Sequence, residues 1–309
     1  MKKQNSLVKK QNSLAILAVT LGNVFWGFSF LFSSIALDVA NPSILLSHRF
    51  ILSTILMLIP VLIGKVNISF KGKHFGPILL LIISELVYFL METYAIKEIN
   101  STISGLVLAV VPVITIGSGA LFLKEYPTKK QAIFCFLPVA GVILMIISGK
   151  EMGVIKPLGI FLLTMMLVFS TIYKTVNRKA SQEFNSYERT LLVLGVSALV
   201  FSVTGLGSVD WNVKNFFAPL KETSYLLPML SLSLLCSIGA NLLVNYAVGQ
   251  MSVFKVSSFG AVSTLCTMVG GILFRKDPYD WVLLVGAALI IVGIWQITRP
   301  VPQKEKIEQ

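Results

Sequence analysis

Ten stretches of about twenty predominantly apolar residues follow one another with only short polar breaks between them. They cover roughly 14–37, 42–64, 76–96, 101–123, 130–149, 155–174, 190–208, 224–248, 252–274 and 279–298. A helix rises about 1.5 Å per residue, so about twenty residues cross roughly 30 Å of hydrocarbon. Each stretch is therefore read as a transmembrane helix. Composition agrees: 55% of the chain is hydrophobic and only 13% is charged, against about a quarter charged in soluble domains. No loop is long enough for a soluble domain. The apolar run after the basic start is too long for a cleaved signal and reads as a first span left in place.

The second constraint is an internal repeat. Tyr94-Ala95, Phe122-Leu123-Lys124-Glu125 and Gly141 recur as Tyr246-Ala247, Phe274-Arg275-Lys276-Asp277 and Gly293 at a constant offset of 152. Thr115 and Thr267, and Gly119 and Gly271, keep the same offset without a gap. The chain divides accordingly into a tail 1–13, a first half 14–149, a second half 155–298 and a tail 299–309, with five spans per half.

The net charge of +12 could suggest nucleic acid. Its distribution points to a membrane instead and excludes nucleic acid as a partner. With the N-terminus placed in the cytoplasm, eighteen Lys and Arg fall on that side, seven fall outside, and Arg49 lies within a span. The inner set includes Lys124, Lys174, Arg178, Lys179 and Arg189, the last four read as a loop between spans 6 and 7. Positive charge favours cytoplasmic loops, so both termini are placed inside, in the plasma membrane. Five spans per half then invert the second half relative to the first. Inverted repeats of this kind are typical of secondary transporters, which bind substrate near the midplane where the halves meet.

Charged groups inside spans are costly and face the interior. Arg49, Glu85 and Glu92 are the clear cases. Glu85 and Glu92 are two turns apart on one face of span 3, with Tyr88 between them. Arg49 is either the partner of a substrate carboxylate or half of an ion pair with a glutamate, and Glu85 or Glu92 could carry a coupling proton. Neighbouring His48 points about 100° away from Arg49 and reads as an interhelical hydrogen bond or a lipid-side position. Asn241 and Asn245 share a face of span 8 and either glue helices together or line a substrate path. Trp26 lies at mid-depth in span 1, away from the interfacial belt where Trp is enriched. It is core or the aromatic wall of a cavity. Pro112 interrupts the backbone ladder of span 4 and is a kink or a hinge. The three cysteines lie in apolar segments and read as packing. No metal-ligand spacing and no phosphate-binding motif occurs in the sequence, so no metal or cofactor is expected.

On Arg49 after Asn41-Pro42, Tyr94-Ala95, Pro112, Phe122 to Glu125 with Thr128 and Gly141, and their second-half echoes, the chain resembles the drug/metabolite transporter superfamily. Within it the chain resembles the ten-span EamA family. The resemblance implies a central cavity lined by both halves. Two departures stand out. Asp277 replaces the usual Glu, and Thr264 replaces the usual Pro of the ninth span, so only the first half is expected to keep that helix break.

The expected fold is an all-α integral membrane protein of ten helices in two inverted five-helix repeats. The expected function is gradient-driven transport of small metabolites by alternating access, most simply export of amino acids or their relatives. Two alternatives remain: efflux of amphipathic organic cations, and a membrane enzyme or non-transporting partner protein. The enzyme reading is disfavoured because no loop holds a catalytic cluster. The partners are a small-molecule substrate and the bilayer, with a homodimer left open. The substrate-binding candidates are Trp26, Arg49, Glu85, Tyr88, Asn241 and Asn245. Glu85 and Glu92 are the proton-coupling candidates.

Overall fold

The computed structural model describes residues 2–99, 104, 107–148, 157–275 and 281–298. Lys276-Asp277, Gly105, the segment 149–156 and the C-terminal tail 299–309 lie outside the described residues. Every described element is helical. We label the principal segments α1 (Lys2–Leu37), α2 (Pro42–Leu62), α3 (Phe75–Glu98), α4 (Val111–Leu123) and α5 (Phe136–Ser148). The second series is α6 (Pro157–Ala180), α7 (Ser186–Gly207), α8 (Thr223–Gln250), α9 (Val253–Phe274) and α10 (Trp281–Thr298). Seven of them, α1 to α3 and α6 to α9, are long and apolar enough to cross a membrane. The other three are shorter.

Local chemistry sets several boundaries. Asn41 caps α2 by accepting the Ile44 amide at 2.9 Å, and Pro42 follows in the first turn, where its missing N–H costs nothing. Asn185 and Glu188 form a reciprocal capping box at the start of α7. One boundary differs from the sequence expectation. No Gly or Pro lies between Lys174 and Ala180, so α6 continues to Ala180 and carries Lys174 inside the helix. Arg189 lies within α7 and is buried rather than in a loop. Removing both from the eighteen inner charges leaves sixteen against seven, so the charge bias persists.

Pro112 sits in the first turn of α4, directly after a 3-10 turn at Leu108–Val110. At the matching position of the second half, Thr264 lies inside an uninterrupted segment, Gly260–Gly270. α9 is interrupted at Phe259, between Val253–Ser258 and Gly260–Gly270, without a proline. Phe259 corresponds to Val107 at the 152 offset, one residue before the 3-10 turn of the first half.

The packing repeats in the same way. The main pairings are α3 with α6, α1 with α8, α2 with α7, α4 with α9, and α5 with α10; α1 also packs on α9 and α6 on α4. Exchanging each helix for the one five positions along returns the same set. At atomic scale a Cβ on Gly141 would lie 3.1 Å from Ile290, and one on Gly293 would lie 2.5 Å from Pro138. Residues 141 and 293, like 138 and 290, are 152 apart, so the contact is reciprocal.

Candidate functional site

A cavity opens between the halves. α1 contributes Asn23, Trp26, Ser29 and Phe30; α3 contributes Glu85, Tyr88, Phe89 and Glu92. α6 contributes Ser170, Tyr173 and Lys174, and α9 contributes Gly260 and Ser263. About 580 Å³ lies free of atoms there, open solvent at the mouth included.

The α3 face follows from helical periodicity. Glu85, Tyr88 and Glu92 recur at three and four residues and so point one way. The Tyr88 hydroxyl donates to Glu92 Oε1 at 3.1 Å. The second Glu92 oxygen is buried and has no hydrogen-bond partner among the described residues. Buried polar atoms are nearly always paired, so this oxygen has capacity for a ligand or a proton. Glu85 faces Asn241 of α8, whose Oδ1 accepts from the Tyr173 hydroxyl at 3.2 Å. Glu85 of α3 therefore lies where α6 and α8 are joined through Tyr173 and Asn241.

Arg49 lies behind this wall rather than among the lining residues. It is only 1% exposed. Its Nε donates to Ser237 at 2.7 Å, and its guanidinium carbon lies 4.6 Å from the centre of the Phe89 ring. Its charge acts on both Glu85 and Glu92, with no ion pair within 4 Å among the described residues. Ser237 is the repeat partner of Glu85, so Arg49 meets on α8 the position that carries a carboxylate on α3. His48 bonds the Tyr225 hydroxyl at 2.9 Å and stacks on Phe217, away from the cavity.

Asn241 and Asn245 both reach α6 and neither lines the cavity. Asn245 Oδ1 accepts from Asn177 at 2.6 Å, and its amide donates to Thr190 at 2.8 Å. Arg189 joins the cluster, donating to Asn177 and to the Asn245 carbonyl at 2.6 Å. Close by, Arg178 donates to Glu125 at 2.7 Å and to the Val248 carbonyl at 2.9 Å, while Glu125 accepts the Val253 amide at 2.7 Å. These residues clamp the ends of α6 and α8 to the start of α9, one turn beyond Lys174. The Lys-Glu element of the repeat signature therefore supplies a tie between the halves.

Sequence reasoning missed Lys174, which it placed in a loop. A signal was present: Ser170, Lys174 and Asn177 recur at four and three residues and so share one face of the helix. It also missed Glu125 with Arg178 and Arg189 with Asn177, which pair only through the fold. Among the described residues no group of His, Cys, Asp and Glu could hold a metal ion.

Comparison with known proteins comes from three directions. Residues 13–147 and 157–299 each match the EamA-like transporter family. An uncharacterized transporter of Bacillus subtilis (strain 168), YcxC, is 31% identical over 292 residues, covering 93% of this chain and 94% of that protein. UDP-xylose transporter 3 of Arabidopsis thaliana is 24% identical over 191 residues, covering 60% of this chain and 52% of that protein. A solved crystal structure shares the fold with a TM-score of 0.70 at 15% identity, covering 94% of this chain and 97% of the other.

Proposed function

Because this chain belongs to the EamA-like transporter family, we propose that it is a gradient-driven transporter of small metabolites, most simply an amino-acid or related exporter working by alternating access. One observation carries the reading. A cavity with buried carboxylates lies between the halves, and helices from both halves wall it. The exchange symmetry of the helix pairings supports two inverted five-helix repeats, 14–149 and 155–298, with all ten segments as spans. Such a scaffold alternates by rocking one half on the other about the site.

In this reading Glu85 and Glu92 attract the ammonium of the substrate, and Trp26, Tyr88 and Phe89 form the aromatic wall. Asn241 holds Glu85 in place. Glu85 is also the proton carrier, because it is buried beside the Tyr173–Asn241 contact of α6 and α8, and its protonation changes what it can bond. Arg49 balances the two carboxylates from behind. The clamp of Glu125, Arg178, Asn177, Arg189 and Asn245 closes the cavity on one side, the cytoplasmic one in the orientation set by the loop charges, and must open once per cycle. The breaks at Pro112 and Phe259 are the places where α4 and α9 can bend in step.

The aromatic and acidic face also favours a second reading, efflux of amphipathic organic cations, since such faces attract cations. Transport in right-side-out and inverted vesicles separates the two. Labelled amino acids should move with a dependence on an imposed proton gradient, and cationic dyes should not. Glu85→Gln should lose the gradient dependence more than Glu92→Gln. Wild-type pH dependence in both variants would remove them as proton carriers, and movement of dyes alone would favour the second reading.

A further inference from the structure

Lys174 is the group in the cavity that this scheme leaves without a task. It is partly buried on α6, one turn after Ser170 and adjacent to Tyr173, and it lines the same cavity as Glu85 and Glu92. Among the described residues it forms no salt bridge: the ion pairs join Lys73 to Glu188, His74 to Glu183 and Arg178 to Glu125. Neither Glu85 nor Glu92 lies within ion-pair distance of it, and Glu92 Oε1 accepts from Tyr88 instead. Lysine inside a span is rare, pairs with an opposite charge where it can, and marks a substrate path where it does not. Gly260 of α9 faces it closely. A Cβ on Gly260 would lie 3.4 Å from Lys174 Nζ, so a larger side chain at 260 would crowd the ammonium.

We propose that Lys174 is the docking point for the carboxylate of a zwitterionic substrate, an α-amino acid or a close relative, whose ammonium is held by Glu85 and Glu92. The inference rests on the transport reading above and narrows it to a charge pattern. α3 and α6 pack against each other but belong to opposite halves. A zwitterion therefore engages both halves at once, with its positive end on the first and its negative end on the second. A simple organic cation would satisfy the glutamates and meet Lys174 as a like charge. The assignment also removes the need for Arg49 to reach substrate, which its place behind Phe89 and Ser237 makes difficult.

The test uses the full-length protein in detergent, with thermal shifts read against a panel of α-amino acids and the methyl ester of each. An ester keeps the ammonium and removes the carboxylate charge. Wild type should be stabilised by at least one free acid and more weakly by its ester. Lys174→Met should lose about tenfold or more in affinity for the acid, near 1.4 kcal/mol, and keep the affinity for the ester. Lys174→Arg should retain the preference for the acid, which guards against misfolding as the cause. Equal binding of acid and ester by wild type, or an unchanged acid affinity in Lys174→Met, overturns the assignment while leaving transport intact. Stabilisation by organic cations alone also overturns it. No stabilisation by any compound, in protein that also moves no labelled amino acid in vesicles, removes the transport reading and this inference together.

Discussion

Arg49 shows how much a single buried charge can be asked to do. Residue type and depth leave two roles for it, ligand or counter-charge. Its position behind the α3 wall favours the second, since its nearest groups are Ser237 and the Phe89 ring. Removing one member of a buried charge cluster leaves the others uncompensated and costs about 3–5 kcal/mol. Arg49→Gln should therefore lower thermal stability by several degrees or fail to accumulate, and adding Glu85→Gln should recover part of the loss. A stable Arg49→Gln protein that loses only carboxylate-bearing substrates would return Arg49 to the binding site. Lys174 carries the opposite lesson. Its residue type was plain in the sequence, but the end of α6 was misplaced because positive residues near a span end resemble a loop. The continuation of α6 turns a topology charge into a cavity charge.

The helices themselves were largely legible, because about twenty apolar residues leave little choice in a membrane. The observed starts of α2, α3 and α8 fall within a residue or so of those read from hydropathy. The interruption of α9 was not legible, since Phe259-Gly260 carries no proline. The repeat predicts which helix contacts are tight. Gly141 and Gly293 sit at the α5–α10 crossing, where a Cβ would meet the Gly286 carbonyl and the Pro138 ring, each at 2.5 Å. Neither neighbour can yield easily. Gly141→Ala and Gly293→Ala should each destabilise by about 1–3 kcal/mol. A Cβ on Gly117, inside α4, meets nothing within 4 Å. Gly117→Ala should be neutral or stabilising by up to about 1 kcal/mol, because Ala is the better helix former. Thermal unfolding in detergent checks all three. Equal effects at 117 and 293 would speak against the close crossing.

At the scale of the molecule, two halves related by sequence meet around one cavity and are tied together on one side by a polar clamp. The repeat made a transporter the natural reading before any site residue was considered. What the sequence could not show is which distant residues meet: Glu125 pairs with Arg178 across the halves, and Asn177 pairs with Asn245 within the second, over 53 and 68 residues. Those ties make sense if they break and re-form. The most direct test is counterflow in proteoliposomes loaded with an unlabelled mixture of α-amino acids and diluted into a trace of the labelled mixture. A carrier that alternates must exchange inner for outer substrate, so label should accumulate transiently above its equilibrium level. Label that only equilibrates, as through a pore, or does not enter at all, would contradict the account.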